Sequence, residues 1–266
     1  MKLILTSIRS LIRHQYLFRE FVVRNIKSRF VGSMGGNLWV VLNPLATILA
    51  YLFIFSVVLR VSVSAAENGT SNFTIYFLSG FFPWFMFAES LSISVMVLLE
   101  NKDLITKVAF PVELLPAGVV LSTFIVNGIG MLCFLVFMVA VGFFHWTWVF
   151  LIYLVIVQFL FTWGLSNLVA ALCVFIRDMK ELLAIILMVW FYATPIVYPV
   201  SLLPDTYRAL MGFNPMWNYI ALYRDIILKH QVDGLIALKA GILALLVYIV
   251  GTWFFMRSKN AFADVL

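Results

Sequence analysis

Long apolar runs with almost no charge, separated by short polar breaks, fill most of this chain. The runs are Leu38–Leu59, Phe73–Leu99, Pro116–Phe144, Val149–Ile176, Leu182–Val200 and Leu235–Met256. Each is close to the roughly 20 residues that a helix needs to cross a bilayer core. The pattern predicts an all-α membrane protein with six transmembrane helices. Pro44 is expected to kink the first run or mark its entry, and Pro83 to interrupt the second.

The breaks differ in character. Residues 1–30 alternate apolar and basic positions, with Leu3, Ile4, Ile8, Leu11 and Ile12 at helical spacing among Arg9 and Arg13. This predicts an amphipathic helix lying in the membrane interface. Gly32, Gly35 and Gly36 follow as an expected joint. The break Glu100–Pro116, ENKDLITKVAFPVELLP, is a charged island that has to sit in water, because charge buried in hydrocarbon is costly. Within it Leu104, Ile105, Val108 and Phe110 fall near helical spacing, so residues 100–115 read either as a solvated loop or as a short amphipathic helix that docks a soluble partner. Ser201–Gly234 is too charged to span and too apolar for a plain loop. Two short amphipathic helices broken at Asn214-Pro215 fit it, dipping into the membrane where protein or a wet cavity shields them.

Composition agrees with the pattern. Of 266 residues, 64% are hydrophobic and only 11% charged, against about 25% in an average chain. Mean hydropathy is +1.06. The net charge of +6 comes largely from the N-terminal segment and reports orientation, not nucleic-acid binding. With six spans and the N-terminus inside, thirteen of the eighteen Lys and Arg residues fall on the cytosolic side. That bias predicts cytosolic termini and a cytosolic island. Cys133 and Cys173 both lie in apolar runs and read as packing thiols.

The candidate chemistry is sparse. No GxxxxGK[ST] loop is present, so the chain is not expected to bind ATP, and no His/Cys/Asp/Glu cluster has metal-ligand spacing. Glu89 is the one acid deep in a run. It reads as a functional group or as a carboxylate paired with a basic residue. Aromatics make up 17% of the chain. Trp84, Phe85, Phe87, Trp190, Tyr192, Tyr198, Trp217, Tyr219 and Tyr223 gather at the outer halves of runs two and five and in the segment beyond. Some belong to an interfacial aromatic belt. The excess is expected to line a cavity, where aromatic faces suit the C–H faces of sugar rings.

Five stretches, taken in order, resemble one family. They are the basic amphipathic start; Lys107-Val108-Ala109-Phe110-Pro111 with Leu114-Leu115-Pro116; Phe175-Ile176-Arg177-Asp178-Met179-Lys180-Glu181; Thr194-Pro195-Ile196-Val197-Tyr198-Pro199; and Asn214-Pro215. Across nearly its whole length the chain resembles the permease subunits of type-2 ABC exporters, particularly Wzm-type O-antigen permeases and related capsule and teichoic-acid permeases. The resemblance implies two copies of this subunit with two copies of a separate ATPase, which holds the ATP and Mg. It implies a polyprenyl-linked polysaccharide as cargo and the bacterial inner membrane as location. The loop after the second span becomes a coupling helix, with Lys102, Asp103, Leu104, Ile105, Lys107, Val108, Phe110 and Pro111 at the ATPase. Residues 201–234 become gate helices. The aromatics above then line the channel and gate, together with Glu89, Pro195, Pro199, Asn214, Pro215 and Arg224. An ABC permease for drugs or lipids, and a membrane-embedded transferase acting on a lipid-linked substrate, are the alternatives. The second would need an acid/base pair at the membrane surface, which the sequence does not offer.

Overall fold

The computed structural model describes residues 9–29, 36–106 and 110–265. Residues 1–8 of the expected interfacial helix, Gly32 and Gly35 of the expected joint, and the island residues Lys107 and Val108 lie outside them. Among the described residues the architecture is all-helical, with one isolated bridge between Ser62 and Asn72. In chain order the main helices are α1 (Gln15–Ser28), α2 (Trp39–Leu52), α3 (Phe73–Ser94), α4 (Lys102–Thr106), α5 (Leu114–Ala140), α6 (Phe150–Phe175), α7 (Met179–Ala193), α8 (Asp205–Met211), α9 (Pro215–Leu228) and α10 (Gly234–Val265). Helix α2 continues into a π-helical stretch, Phe53–Val58, and Ala65–Asn68 and Val97–Glu100 form single turns.

Among the described residues four helical stretches are long and apolar enough to cross a membrane: Trp39–Val58, Leu114–Ala140, Trp146–Phe175 and Gly234–Phe262. Helix α3 has the length, 22 residues or about 33 Å, but Glu89 and its serines dilute its hydropathy. Helix α7 has 15 residues, about 22 Å, and falls short of a full hydrocarbon core.

Three boundaries differ from the sequence reading, each for a local reason. Helix α3 runs through Pro83 without a break. The buried Gln158 Nε2 donates to Pro83 O at 2.7 Å, a neighbouring helix meeting the polar backbone of the proline turn. The fifth run stops being helical at Ala193 instead of reaching Val200. Thr194 precedes Pro195 and is extended (φ −104°, ψ 127°), as the proline ring requires of its neighbour. The sixth run ends at Met256, but α10 continues past it to Val265. Lys259 Nζ donates to Glu113 Oε2 at 2.7 Å there, and Phe262 is fully buried.

Helices α6 and α10 are the most closely joined pair. A Cβ at Gly251 would overlap the carbonyl oxygen of Gly164, so the two backbones touch where both side chains are absent. Asn167 Nδ2 donates to Thr252 Oγ1 beside this point at 3.1 Å. The large core lies among α3, α5, α6 and α9. A second cluster sits at the island end, where Phe21 of α1 meets Val97, Leu98, Leu115, Val174, Phe255 and Phe262. Phe21 lies against Gly118, and a Cβ there would collide with its ring, so the absence of a side chain is what seats α1 on α5. By contrast α2 is barely covered. Ile48 is its one buried residue, and α7 buries only Leu183 and Leu187.

Candidate functional site

At the island end, α4 is one short helix held by Asn101. Asn101 Nδ2 donates to Val97 O (2.8 Å), and Arg24 Nη2 of α1 donates to Asn101 Oδ1 (3.1 Å). Lys102 and Asp103 are exposed, while Leu104, Ile105, Phe110 and Pro111 are half-buried. Ile105 and Phe110 pack on the second cluster, so their apolar faces are partly used by their own chain. Leu104 and Phe110 line a depression of about 570 Å³ against α1, shared with Leu17, Phe21, Arg24 and Lys27. Beside it, Glu113 is buried at the start of α5. Burial pushes this carboxyl up, but hydrogen bonds from Lys259 and Ser10, its own backbone N–H and the charge of Lys259 outweigh that and hold it below the usual range.

Glu89 is paired. Arg29 Nη1 donates to Glu89 Oε1 at 3.0 Å, Arg29 Nη2 to Thr123 Oγ1 at 2.9 Å, and Asn127 Nδ2 donates to Glu89 Oε2. Thr123 and Asn127 are one turn apart on α5, so one face of that helix presents both groups. The pair opens on a cavity of about 320 Å³ between α2, α3 and α5. Trp39, Phe81 and Phe85 wall it, with Asn43 and Thr47 adding polar atoms. In the sequence Arg29 is one of the basic residues of the expected interfacial helix. The i, i+4 spacing of Thr123 and Asn127 marks the face of α5 that meets the pair.

At the opposite end two residues gather the chain. Asn214 caps α9, its Oδ1 accepting from Met216 N (3.1 Å) and Trp217 N (3.4 Å). The same oxygen accepts from Trp190 Nε1 (2.8 Å), and Asn214 Nδ2 donates to Thr194 Oγ1 (2.9 Å) and Ala193 O (3.4 Å). Pro215 occupies the first turn of α9, where it loses no helical hydrogen bond. Arg224 is 4% exposed, and among the described residues its hydrogen-bond partners include no carboxylate. Its Nε donates to Tyr76 O (3.3 Å), Nη1 to Tyr76 Oη (2.8 Å) and Pro195 O (2.6 Å), and Nη2 to Ile196 O (3.1 Å). The guanidinium also lies 3.7 Å from the centre of the Tyr76 ring. Gly80, one turn on from Tyr76, admits the head group, since a Cβ there would come within 2.9 Å of Nη2. Tyr76 Oη donates to Tyr198 O (3.2 Å) and Tyr198 Oη to Tyr192 O (2.7 Å). Arg224 thus fastens α9 to α3 and to the turns and bends of the Thr194–Pro199 segment. Tyr76 and Gly80 were missed in the sequence, where only their i, i+4 spacing marks them.

The aromatic candidates divide by burial. Trp84, Phe87, Tyr219 and Tyr223 are buried, as is Pro195. Trp84 and Phe87 meet Trp190 edge to face at centroid distances of 6.2 and 5.2 Å, and Tyr219 lies tilted against Phe161 at 5.4 Å. Trp190, Tyr198, Pro199 and Trp217 are half-buried, and Phe85 and Tyr192 are exposed. Buried and exposed rings therefore do not form one continuous lining within a single copy.

Comparison with known proteins adds the family. The model of the ABC-2 type transporter family matches residues 16–228. An O-antigen export system permease protein of Myxococcus xanthus is 33% identical over 241 residues, 88% of this chain and 89% of the relative. One of the same description from Klebsiella pneumoniae is 30% identical over 260 residues, covering 94% and 96%. A polysialic acid transport protein of Escherichia coli is 23% identical over 226 residues, covering 82% and 83%. With the family match spanning most of its length, from α1 through α9, this chain belongs to the ABC-2 type transporters.

Proposed function

We propose that this chain is the permease subunit of an ATP-driven exporter that moves lipid-linked polysaccharide, of the O-antigen kind, from the cytosolic to the outer side of a bacterial inner membrane. The observation that carries the reading is the 33% identity to an O-antigen export permease across almost all of both chains. In this reading α2, α3, α5, α6, α7 and α10 supply six crossings, with both termini in the cytosol. Two copies of the subunit assemble with two copies of an ABC ATPase, which binds the ATP and Mg. The nearly bare faces of α2 and α7 support a second copy as their cover, because helices this poorly packed in their own chain have most of their apolar surface left for a neighbour.

Helix α4, with Lys102, Asp103, Leu104, Ile105, Phe110, Pro111 and the neighbouring Lys107 and Val108, docks the ATPase. Helices α8 and α9 form the outer gate, with Pro195, Pro199, Asn214, Pro215 and Arg224 setting its shape. Phe85, Trp190, Tyr192, Tyr198 and Trp217 offer rings to the glycan, and Trp84, Phe87, Tyr219 and Tyr223 back them from inside. The cavity beside Glu89 is close to neutral because Arg29 compensates the carboxylate, and its aromatic walls and amides suit a polyol.

The test is deletion and complementation in the source bacterium. Loss of the chain should remove surface glycan and leave lipid-linked polysaccharide on the cytosolic side, and the intact chain with its ATPase should restore export. Normal surface glycan in the deletion strain, or resistance to a drug as the sole phenotype, would overturn the assignment.

A further inference from the structure

Helices α5 and α6 part along one side to leave a groove of about 610 Å³. It follows α5 from Phe124 to Leu135 and α6 from Leu151 to Ile156, and among the described residues none that lines it is charged. Its rim is exposed, with Leu132 at 61% and Ile152 at 64%. Gly128 forms part of the floor, and a Cβ placed on it would meet nothing within 4 Å. Along α5 the groove is about 16 Å long, half the thickness of a hydrocarbon core and so the depth of one leaflet.

The end near the α5–α6 turn is different. Trp148 and Tyr223 line the groove there, and the indole Nε1–H and the phenol O–H are both buried without a hydrogen-bond partner among the described residues. Tyr223 is 1% exposed. The two residues belong to one corner of the fold, because Thr147 Oγ1, next to Trp148, donates to Ile226 O, one turn beyond Tyr223. A buried donor left unpaired is destabilising, and native folds satisfy nearly all such groups. Two orphaned donors at the polar end of an apolar groove call for an acceptor carried on an apolar chain.

We infer that this groove binds one glycerolipid of the surrounding membrane, with an acyl chain between α5 and α6 and its ester carbonyl accepting from Tyr223 and Trp148. The donors choose the class of ligand. Both are neutral, so a neutral carbonyl matches them. A fatty-acid carboxylate or a polyprenyl pyrophosphate would bring charge to a groove with no Lys or Arg in its lining. A polyprenyl chain also has no ester carbonyl. None of the rings offered to the glycan is among the residues lining the groove, so the site stands whatever the cargo is.

The full-length chain in detergent is titrated with dioleoyl phosphatidylethanolamine and with its diether analogue, which lacks both ester carbonyls. Binding is read by native mass spectrometry and by thermal unfolding. Wild type should bind the diacyl lipid saturably and the diether at least about fivefold more weakly, the factor that one neutral hydrogen bond converts to. Tyr223→Phe should lose about fivefold for the diacyl lipid and narrow the gap between the two. Gly128→Leu should fill the groove and abolish binding, with elution and lipid-free melting unchanged. Equal binding of the two lipids would overturn the inference. So would a Tyr223→Phe protein that binds as wild type and melts higher, the behaviour of an orphaned hydroxyl simply removed. Disulfide formation between Gly128→Cys copies would overturn it too, by placing a second subunit over the groove. If Gly128→Leu does not fold, the lipid pair and Tyr223→Phe still decide.

Discussion

Replacing Arg224 by Met should release the outer segment from the rest of the subunit. The guanidinium makes four hydrogen bonds, and two of its acceptors, Pro195 O and Ile196 O, belong to a stretch with no regular structure of its own. Leaving a buried carbonyl unpaired costs about 1–3 kcal/mol. Two of them, less the desolvation recovered when the charge is removed, give a destabilisation of about 2–4 kcal/mol. For a chain of this size that lowers the melting temperature by roughly 5–15 °C. Arg224→Lys should lie between, because one ammonium cannot reach carbonyls spread around a planar fork. The local readout is a cysteine at Ile196, which is fully buried, on a background with Cys133 and Cys173 replaced. A thiol reagent should modify it slowly in the parent and at least tenfold faster with Arg224→Met. Unchanged labelling together with an unchanged melting temperature would show that the carbonyls find other partners and that the fastening argument is wrong.

Three further outcomes follow from the contacts. The folded-state pKa of Glu113 is depressed, so its stabilisation is complete above the unfolded value near 4.5 and is lost as pH falls through the folded value; the acid limb of a melting-temperature profile should flatten in Glu113→Gln. Glu89→Ala should cost about 1–2 kcal/mol by stranding Arg29, a figure kept low because the two side chains are 26% and 18% exposed, and a double-mutant cycle with Arg29→Met should show coupling of similar size, whereas additive effects would dissolve the pair. Gly251→Leu should force α6 and α10 apart and yield little monodisperse protein, whereas an exposed control such as Leu246→Ala should purify normally; equal yields would reject the close approach.

How much was legible depends on the range of the forces involved. Apolar run length and proline are local signals, so the helices and the break at Asn214-Pro215 could be read directly. The extension of α10 past Met256 could not, because Lys259 and Phe262 are helical in service of Glu113 and Phe21, residues far away in the chain. Similarly, Arg29 was legible only as a cation of the expected interfacial helix, and Arg224 only as one gate residue among several. Their actual surroundings, Glu89 with Thr123 and Asn127 in one case and Tyr76 with two carbonyls in the other, exist only after helices distant in sequence are packed. The aromatic set shows the same limit, since composition located the rings but not which of them the chain would bury.

The cluster around Phe21 also fixes an order of assembly. Its members come from α1 and from α10, near the two ends of the chain, so it cannot close while the chain is still being made. Until α5 is inserted, Phe21 has no Gly118 to rest on, and α1 has only the membrane surface to hold it. Until Phe255, Lys259 and Phe262 have been synthesised, the pocket around α1 lacks one wall and Glu113 lacks its counter-charge. A ribosome that stops before those residues leaves behind a subunit with an unsealed seam at the island end, exposing apolar surface that membrane quality control can recognise.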